Sequence, residues 1–221
     1  MLEFINLPEC DKVIEKIIKT EWDMFQKVNN IDGRAGCQDE WETFQIMRYS
    51  HYSGWTDAMI KSYAKDLENA MENKRNLVME KYAYMMEFTQ NEYYKSKLEP
   101  YLPKIDVEEL RTIKEITQYM IECEKEIILK YPKLSKAGRA IENENTLVNN
   151  KSKVNIDATN GTSVETYAIG ELKTYSKETL KLYLDYIKES KAKSRNVVIP
   201  VKEMMVRLYG YASLEDAENK L

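Results

Sequence analysis

The sequence predicts an all-α protein, a bundle of about seven to nine helices, and two observations support this fold class. Only seven glycines and five prolines occur among 221 residues, which is too few for a β-sandwich or barrel with many tight turns. Apolar residues recur with the 3.6-residue period of amphipathic helices in one segment after another. Because a chain of this length builds one large core, we expect a single domain over residues 1–221.

Capping signals and helix breakers predict the bounds of the individual helices. Asp106 and Glu109 have the spacing of a capping box, and Thr162 opens a second one. The Asn-rich tract at about 142–162 predicts a flexible loop, because it offers almost no aromatic side chains to bury. The predicted helices span Pro8 to about Val28, 40–52, 56–72, 76–89, 106–130, 162–188, a segment after Pro200 that ends at Gly210, and a short segment from Ser213.

We expect the helix predicted at 76–89, with the sequence NLVMEKYAYMMEFT, to lie at the centre of the bundle. Apolar side chains cover most of its surface, which is unusual for a helix that faces water. Its polar residues Glu80 and Glu87 share one narrow seam, and Tyr84 lies at the edge of that seam. We therefore expect these carboxylates to face the interior or to line a trench.

Two charged residues of the first helices project where the helical period calls for an apolar side chain. Glu21 falls in the middle of the apolar stripe of the first helix. Arg48 falls in the centre of the aromatic arc of the second, with His51 to one side. A buried carboxylate needs a cation or a proton, so Arg48 is the candidate partner of Glu21.

These positions together predict a polar site inside the bundle. Glu21 and Glu80 are the candidate catalytic groups, because a buried carboxylate suits proton transfer. Arg48 is the candidate clamp for a carboxylate or phosphate. The candidate ligand-binding residues are Arg48, Tyr84, Glu87, His51 and Arg34. A purely structural network, in which Arg48 neutralises one or two glutamates, explains the same pattern equally well.

Arg34 is a candidate because of its place in the turn-rich loop that follows the first helix. The tripeptide Gly33-Arg34-Ala35 offers a guanidinium and backbone N–H groups to an anion. A dimetal site in a helical bundle calls for Glu-x-x-His on two helices, whereas the one histidine, His51, has no glutamate three residues before it. We therefore expect no metal ligand among the candidate residues, and the sequence predicts no particular cofactor.

Charge and cysteine content exclude several classes of protein. The net charge of -4, with both signs interspersed, provides no field that attracts nucleic acid. No apolar run approaches the roughly 18 residues of a membrane span. The three widely spaced cysteines form no C-x-x-C pair, which is typical of a reducing compartment. We therefore expect a cytoplasmic protein.

A series of short motifs resembles a family of bacterial helical proteins of unknown function, and it extends over nearly the whole chain. The resemblance implies one domain and no established activity, so it transfers no catalytic residue. The motifs are Glu21-Trp22, Gly33-Arg34-Ala35, Cys37-Gln38, Met47-Arg48, Glu80-Lys81-Tyr82-Ala83, Met85-Met86, Gly170-Glu171-Leu172 and Arg207-Leu208-Tyr209-Gly210-Tyr211-Ala212.

The leading hypothesis is an internal Glu/Arg pocket that binds a small anionic or amino-acid-like ligand, with acid–base catalysis as an open extension. It predicts that Glu21, Arg48 and Glu80 converge around accessible space. The alternative is a noncatalytic interaction or regulatory module that binds another protein or a second copy of itself. It predicts a closed interior and an exposed aromatic patch. A carboxylate-bound metal site is the second alternative.

Overall fold

The computed structural model describes residues 9–29, 33–136, 138–139, 141 and 162–221, and within these ranges it contains helices and no β-strand. The loop predicted at 142–162 lies outside the described residues except for Thr162. Short 3₁₀ turns occur at Gly36–Asp39 and Glu99–Tyr101, and a π-helical turn at Tyr94–Leu98. The α-helices are α1 (Glu9–Gln26), α2 (Trp41–Ser53), α3 (Asp57–Glu72), α4 (Leu77–Thr89), α5 (Asn91–Tyr93), α6 (Val107–Lys130), α7 (Pro132–Lys136), α8 (Val164–Leu172), α9 (Lys177–Ala192), α10 (Val198–Leu208) and α11 (Leu214–Lys220).

The all-α prediction is confirmed for the described residues, but the predicted number of helices was wrong, since they contain eleven. The segment predicted as one helix at 162–188 is divided into α8 and α9. Ser176 causes the break, because its side chain accepts a hydrogen bond from the Thr179 N–H and so caps a new helix. The short helices α5 and α7 are too brief to show a periodic pattern in the sequence.

Two stretches of the fold repeat the same structure. The 16-residue helices α3 and α9 have the same pattern of buried and exposed positions, and each begins with a hydroxyl cap, Thr56 or Ser176. Each helix is followed by a turn that contains one residue with a positive φ. This residue is Lys74 after α3, with a φ of 56°, and Ser194 after α9, with a φ of 51°. We name residues 9–89 (α1–α4) the first repeat and the described residues of 107–208 (with α6, α8, α9 and α10) the second repeat.

Asparagine contacts extend this equivalence to α1 and α6. Asn76 donates from Nδ2 to the Met24 carbonyl of α1 at 2.8 Å. Asn196, at the equivalent place after α9, donates from Nδ2 to the Cys123 carbonyl of α6 at 2.9 Å. Met24 therefore corresponds to Cys123, and most of the buried positions of the two helices match in this alignment.

The two repeats pack on each other reciprocally, and each gives one helix to the other. Helix α4 packs on α8 of the second repeat, and α10 packs on α2 of the first. Where the repeats meet, the equivalent residues Trp55 and Tyr175 contact each other, with ring centroids 5.7 Å apart. Trp55 also contacts Tyr183 at 5.4 Å, and reciprocally Tyr175 contacts Tyr63 at 5.0 Å. This reciprocity is what a two-fold arrangement requires.

In the part of the chain that the structure describes, none of the helices combines the length and the apolar character needed to cross a bilayer.

Candidate functional site

The site is centred on Arg48, which lies between two buried carboxylates. Its guanidinium binds Glu21 through two hydrogen bonds, Nε to Oε2 at 2.8 Å and Nη2 to Oε1 at 2.6 Å. Nη2 also donates to Oε1 of Glu171 at 2.7 Å. All three side chains are less than a tenth exposed. Two charge-assisted pairs therefore share one guanidinium inside the protein.

Aromatic packing holds α1 and α2 in the positions that this pairing needs. Trp22 lies beside Glu21 in sequence, and its ring contacts Phe44 of α2 at 5.1 Å between centroids. Phe25, one turn further along α1, stacks on the same Phe44 at 5.5 Å. The apolar stripe of α1 thus brings Glu21 against the face of α2 that carries Arg48.

Tyrosine hydroxyls donate further hydrogen bonds to one oxygen of each carboxylate. The hydroxyls of Tyr52 and Tyr63 each donate to Oε1 of Glu21 at 2.8 Å. The Tyr175 hydroxyl donates to Oε1 of Glu171 at 3.1 Å. Burial raises the pKa of all three tyrosines well above the ordinary value, so they are fixed as neutral donors.

The opposite charges keep the buried groups ionised. Burial alone would raise the pKa of Glu171, but Arg48 and then Lys81 outweigh it and hold this pKa well below the ordinary range. Burial alone would lower the pKa of Arg48, but Glu171 and then Glu21 outweigh it and raise this pKa. Arg48 and Glu171 are therefore a charged pair at neutral pH.

Lys81 of α4 is a second buried cation beside this pair. Its ammonium donates to the Tyr167 hydroxyl of α8 at 2.7 Å and lies 4.4 Å from the centroid of that ring. A small pocket next to it has room for about one water molecule. The pocket is lined by Glu21, Tyr63, Leu77, Val78, Lys81, Glu171 and Thr174.

His51 also lies close to Glu171. Its Nε2 atom is buried, is 3.9 Å from Oε1 of Glu171 and has no hydrogen-bond partner among the described residues. Burial is the main cause that lowers the pKa of His51 from 6.5 to about 4, and Arg48 contributes in the same direction. The imidazole is therefore neutral at physiological pH.

The second repeat has apolar residues where the first repeat carries this site. Met120 takes the place of Glu21, Ala168 that of Arg48, and Leu172 that of Tyr52. Ala168 and Leu172 are buried, and Met120 packs against the core. Val201 occupies the place that corresponds to Lys81. The same fold thus accommodates an apolar interior at the equivalent point.

The family described as "Protein of unknown function (DUF4125)" matches residues 11–219, which is nearly the full length. The chain belongs to this family. No curated protein and no solved structure matches the sequence. Membership in the DUF4125 family supplies no activity, so the chemistry of the site has to be argued from its own geometry.

Of the residues that the sequence singled out, the structure brings together Glu21, Arg48 and His51. Glu80 does not join them, because both of its carboxylate oxygens bind Arg75, at 2.9 and 2.6 Å. The Glu80 carboxylate therefore faces the turn before α4 rather than the Arg48 site. Glu171 of α8 takes the place that the sequence had suggested for Glu80.

The other predicted ligand-binding residues have separate contacts. Tyr84 is buried and donates its hydroxyl to the Pro103 carbonyl at 2.7 Å. Glu87 forms an ion pair with Lys173. Arg34 is about half exposed and binds Asp39, at 2.7 Å.

Glu171 and Lys81 are the residues of the candidate site that sequence reasoning missed. Lys81 follows Glu80 in a helix with little amphipathic contrast, so its direction could not be read from periodicity. Glu171 lies in the last turn of a nine-residue helix with several other buried positions. The internal repeat was the available signal, since it aligns Glu171 with His51.

No group of three His, Cys, Asp or Glu residues in the described ranges is placed to hold a metal ion.

Proposed function

We propose that this protein binds a small charged molecule at the buried site formed by Glu21, Arg48, Glu171 and Lys81. The observation that carries the proposal is the difference between the repeats. Where the first repeat buries Glu21 and Arg48, the second has Met120 and Ala168 in the same fold.

That difference distinguishes a functional role of the buried charges from a role in packing. A buried ion pair is often no more stabilising than apolar residues of similar volume, so an apolar version of the site would fold at least as well. The second repeat is such a version within the same chain. Charges kept at a cost to folding, in a set that lines a pocket, are typical of binding and catalytic sites.

The site suits recognition of a charged ligand, with acid–base catalysis as its chemical extension. Glu21 and Glu171 offer carboxylate oxygens to a donor, and Lys81 offers ammonium protons to an acceptor. All three line the same pocket. Because this pocket has room for about one water molecule, an incoming ligand displaces a side chain of its wall.

The test is calorimetric titration of the protein with a panel of charged small molecules. The panel consists of glycine, glutamate, acetate, succinate, inorganic phosphate and methylamine. The site variant combines Glu21→Met, Arg48→Met and Glu171→Gln, which removes both ion pairs and leaves no unpaired buried charge among the three. Glu80→Gln is the matched control, because it removes a carboxylate of α4 that binds Arg75 instead.

Saturable binding of at least one probe by wild type and Glu80→Gln, lost in the triple variant, supports the proposal. Absence of binding for every probe overturns it. Equal binding by the folded triple variant overturns it too, because the ligand would then lie elsewhere.

A second candidate is a helical interaction protein, which the small size of the pocket and one exposed segment favour. Tyr101, Val107 and Leu110 are 86%, 67% and 44% exposed within ten residues of chain. The test is sedimentation of wild type and of a Tyr101→Ser, Val107→Ser double variant. Concentration-dependent association in wild type alone would support this candidate.

A further inference from the structure

Lys81 differs from the other charged residues of the site in its partners. It is 6% exposed, and its ammonium makes one hydrogen bond, to the neutral hydroxyl of Tyr167. It takes part in no ion pair with any residue that the structure describes. Burying an ammonium without an adjacent anion is costly. Lys81 therefore has two N–H donors that no described acceptor uses.

The charges of the site define which ligand would complete it. Glu21 and Glu171 share the single cation Arg48, so this triad has one excess negative charge. Lys81 balances that excess from across the pocket. A ligand with only a carboxylate or only an ammonium group would leave the interior with a net charge, which is costly to bury. A zwitterion adds one charge of each sign and keeps the balance.

Lys81 is also not required for packing in this fold. The equivalent residue of the second repeat, Val201, packs its side chain against Gly54, which follows the end of α2. A branched apolar residue thus fills this place in one repeat, and a lysine faces a polar pocket in the other. The contrast indicates that the charge of Lys81 serves the polar site rather than the packing of α4.

We infer that the ligand of this site is a small zwitterion with an amino-acid-like pairing of charges, whose carboxylate binds Lys81 and whose ammonium group faces Glu171 and Glu21. The inference rests on the proposed function and names the ligand class and the residue that selects it. Because the pocket has room for about one water molecule, Lys81 or another side chain of its wall has to move to admit such a ligand. The smallest zwitterions are therefore preferred over those with bulky side chains.

The first test needs only the wild-type protein. Glycine, acetate and methylamine are titrated in turn, because the last two each carry one charged half of the first. We expect glycine to bind at least about tenfold more tightly than either fragment, and more tightly than phenylalanine. If acetate or methylamine binds as tightly as glycine, the zwitterion inference is wrong and the proposed function stands. If none of the charged probes binds, the proposed function fails as well.

The second test identifies the residue. Lys81→Met keeps the length of the side chain and removes its charge, and we expect it to weaken glycine binding at least about tenfold. Lys81→Arg retains the charge and should keep measurable binding. Lys202→Met is the control, because this lysine lies next to Val201 in the second repeat and pairs with Glu124 at 3.1 Å. Unchanged glycine binding in folded Lys81→Met overturns the inference. If Lys81→Met does not fold, Lys81→Arg and the wild-type series decide it.

Discussion

Tyr63 and Tyr183 occupy equivalent positions in α3 and α9, but their hydroxyls have different partners. Tyr63 donates to the carboxylate of Glu21 at 2.8 Å. Tyr183 donates to the thioether sulfur of Met120, the counterpart of Glu21, at 3.5 Å. Both rings are buried in the core. One fold thus contains a matched pair of tyrosines, of which only the first serves a charged site.

This pair supplies the first prediction. Tyr63→Phe should lower the free energy of unfolding by about 1.5–3 kcal/mol, because it removes a buried hydrogen bond to a charged acceptor. Tyr183→Phe should change it by less than about 1 kcal/mol, since sulfur is a weak acceptor. Urea unfolding of both variants beside wild type measures the difference. Equal losses would show that the Tyr63 hydroxyl gains nothing from the charge of Glu21.

Arg48 carries the second prediction. Arg48→Met leaves Glu21 and Glu171 buried without their cation and should cost about 3–5 kcal/mol of unfolding free energy. The triple variant with Glu21→Met and Glu171→Gln added should regain part of this loss, because it removes both unpaired carboxylates but leaves Lys81 as a buried charge without a counter-charge. Urea unfolding at neutral pH measures both variants. If the triple variant is as unstable as Arg48→Met alone, the charges are needed for folding.

Glu80→Gln is the reference variant outside the Arg48 site. The side chain of its partner Arg75 is 41% exposed and that of Glu80 is 12% exposed, so solvent screens the pair in part and the expected cost is about 1 kcal/mol. A loss as large as that of Arg48→Met would place Glu80 in the same energetic network.

The sequence predicted the pairing of Glu21 and Arg48 because both lie in the centre of apolar arcs on long helices. A charge in such a place has to find its counter-charge inside the protein. A helical projection of the sequence could not identify Glu171. It shows in which direction a side chain leaves its own helix, but it does not show which other helix that side chain meets. Glu80 was placed in the site for the same reason.

The repeat was also hidden in the sequence. Few positions are identical between α3 and α9, and what the two helices share is the order of buried and exposed positions, which any amphipathic helix shows. The exchange of α4 and α10 between the repeats depends on long-range packing that periodicity does not encode. The Arg75-Asn76 and Arg195-Asn196 pairs after the two helices were the clearest available signal.

Two glycines at the exchanged helices give the third prediction. A Cβ at Gly54 would lie 2.6 Å from Cγ2 of Val201, whereas one at Gly170 would lie 2.5 Å from Cγ of Met85 and 2.9 Å from the Lys81 carbonyl. Each change to alanine should cost about 1–3 kcal/mol through overpacking. Val201→Ala should rescue Gly54→Ala, because a side chain causes that clash.

Met85→Ala should not rescue Gly170→Ala, because the α4 backbone remains in the way. Thermal unfolding of the two single and two double variants measures this contrast. Gly36→Ala is the control, since a Cβ there meets no atom within 4 Å. Full rescue by Met85→Ala would mean that α4 and α8 can separate at little cost.

His51 gives the fourth prediction, a dependence of stability on pH. Its folded-state pKa is about 4, below the ordinary 6.5, so the unfolded chain binds a proton more readily than the folded one. The stabilising contribution is therefore complete above pH 6.5 and is lost as the pH falls towards 4. Between pH 6.5 and about 5 the loss should be roughly 2 kcal/mol.

His51→Gln isolates this effect, because the chain has no other histidine and ordinary carboxylates titrate lower. Urea unfolding at a series of pH values should show a shallower slope for the variant over that window. The pKa of Glu171 lies well below its ordinary value, so its contribution is present above pH 4.5 and is lost only in stronger acid. A variant with the wild-type slope between pH 6.5 and about 5 would mean that His51 is protonated in the folded protein as easily as in the unfolded chain.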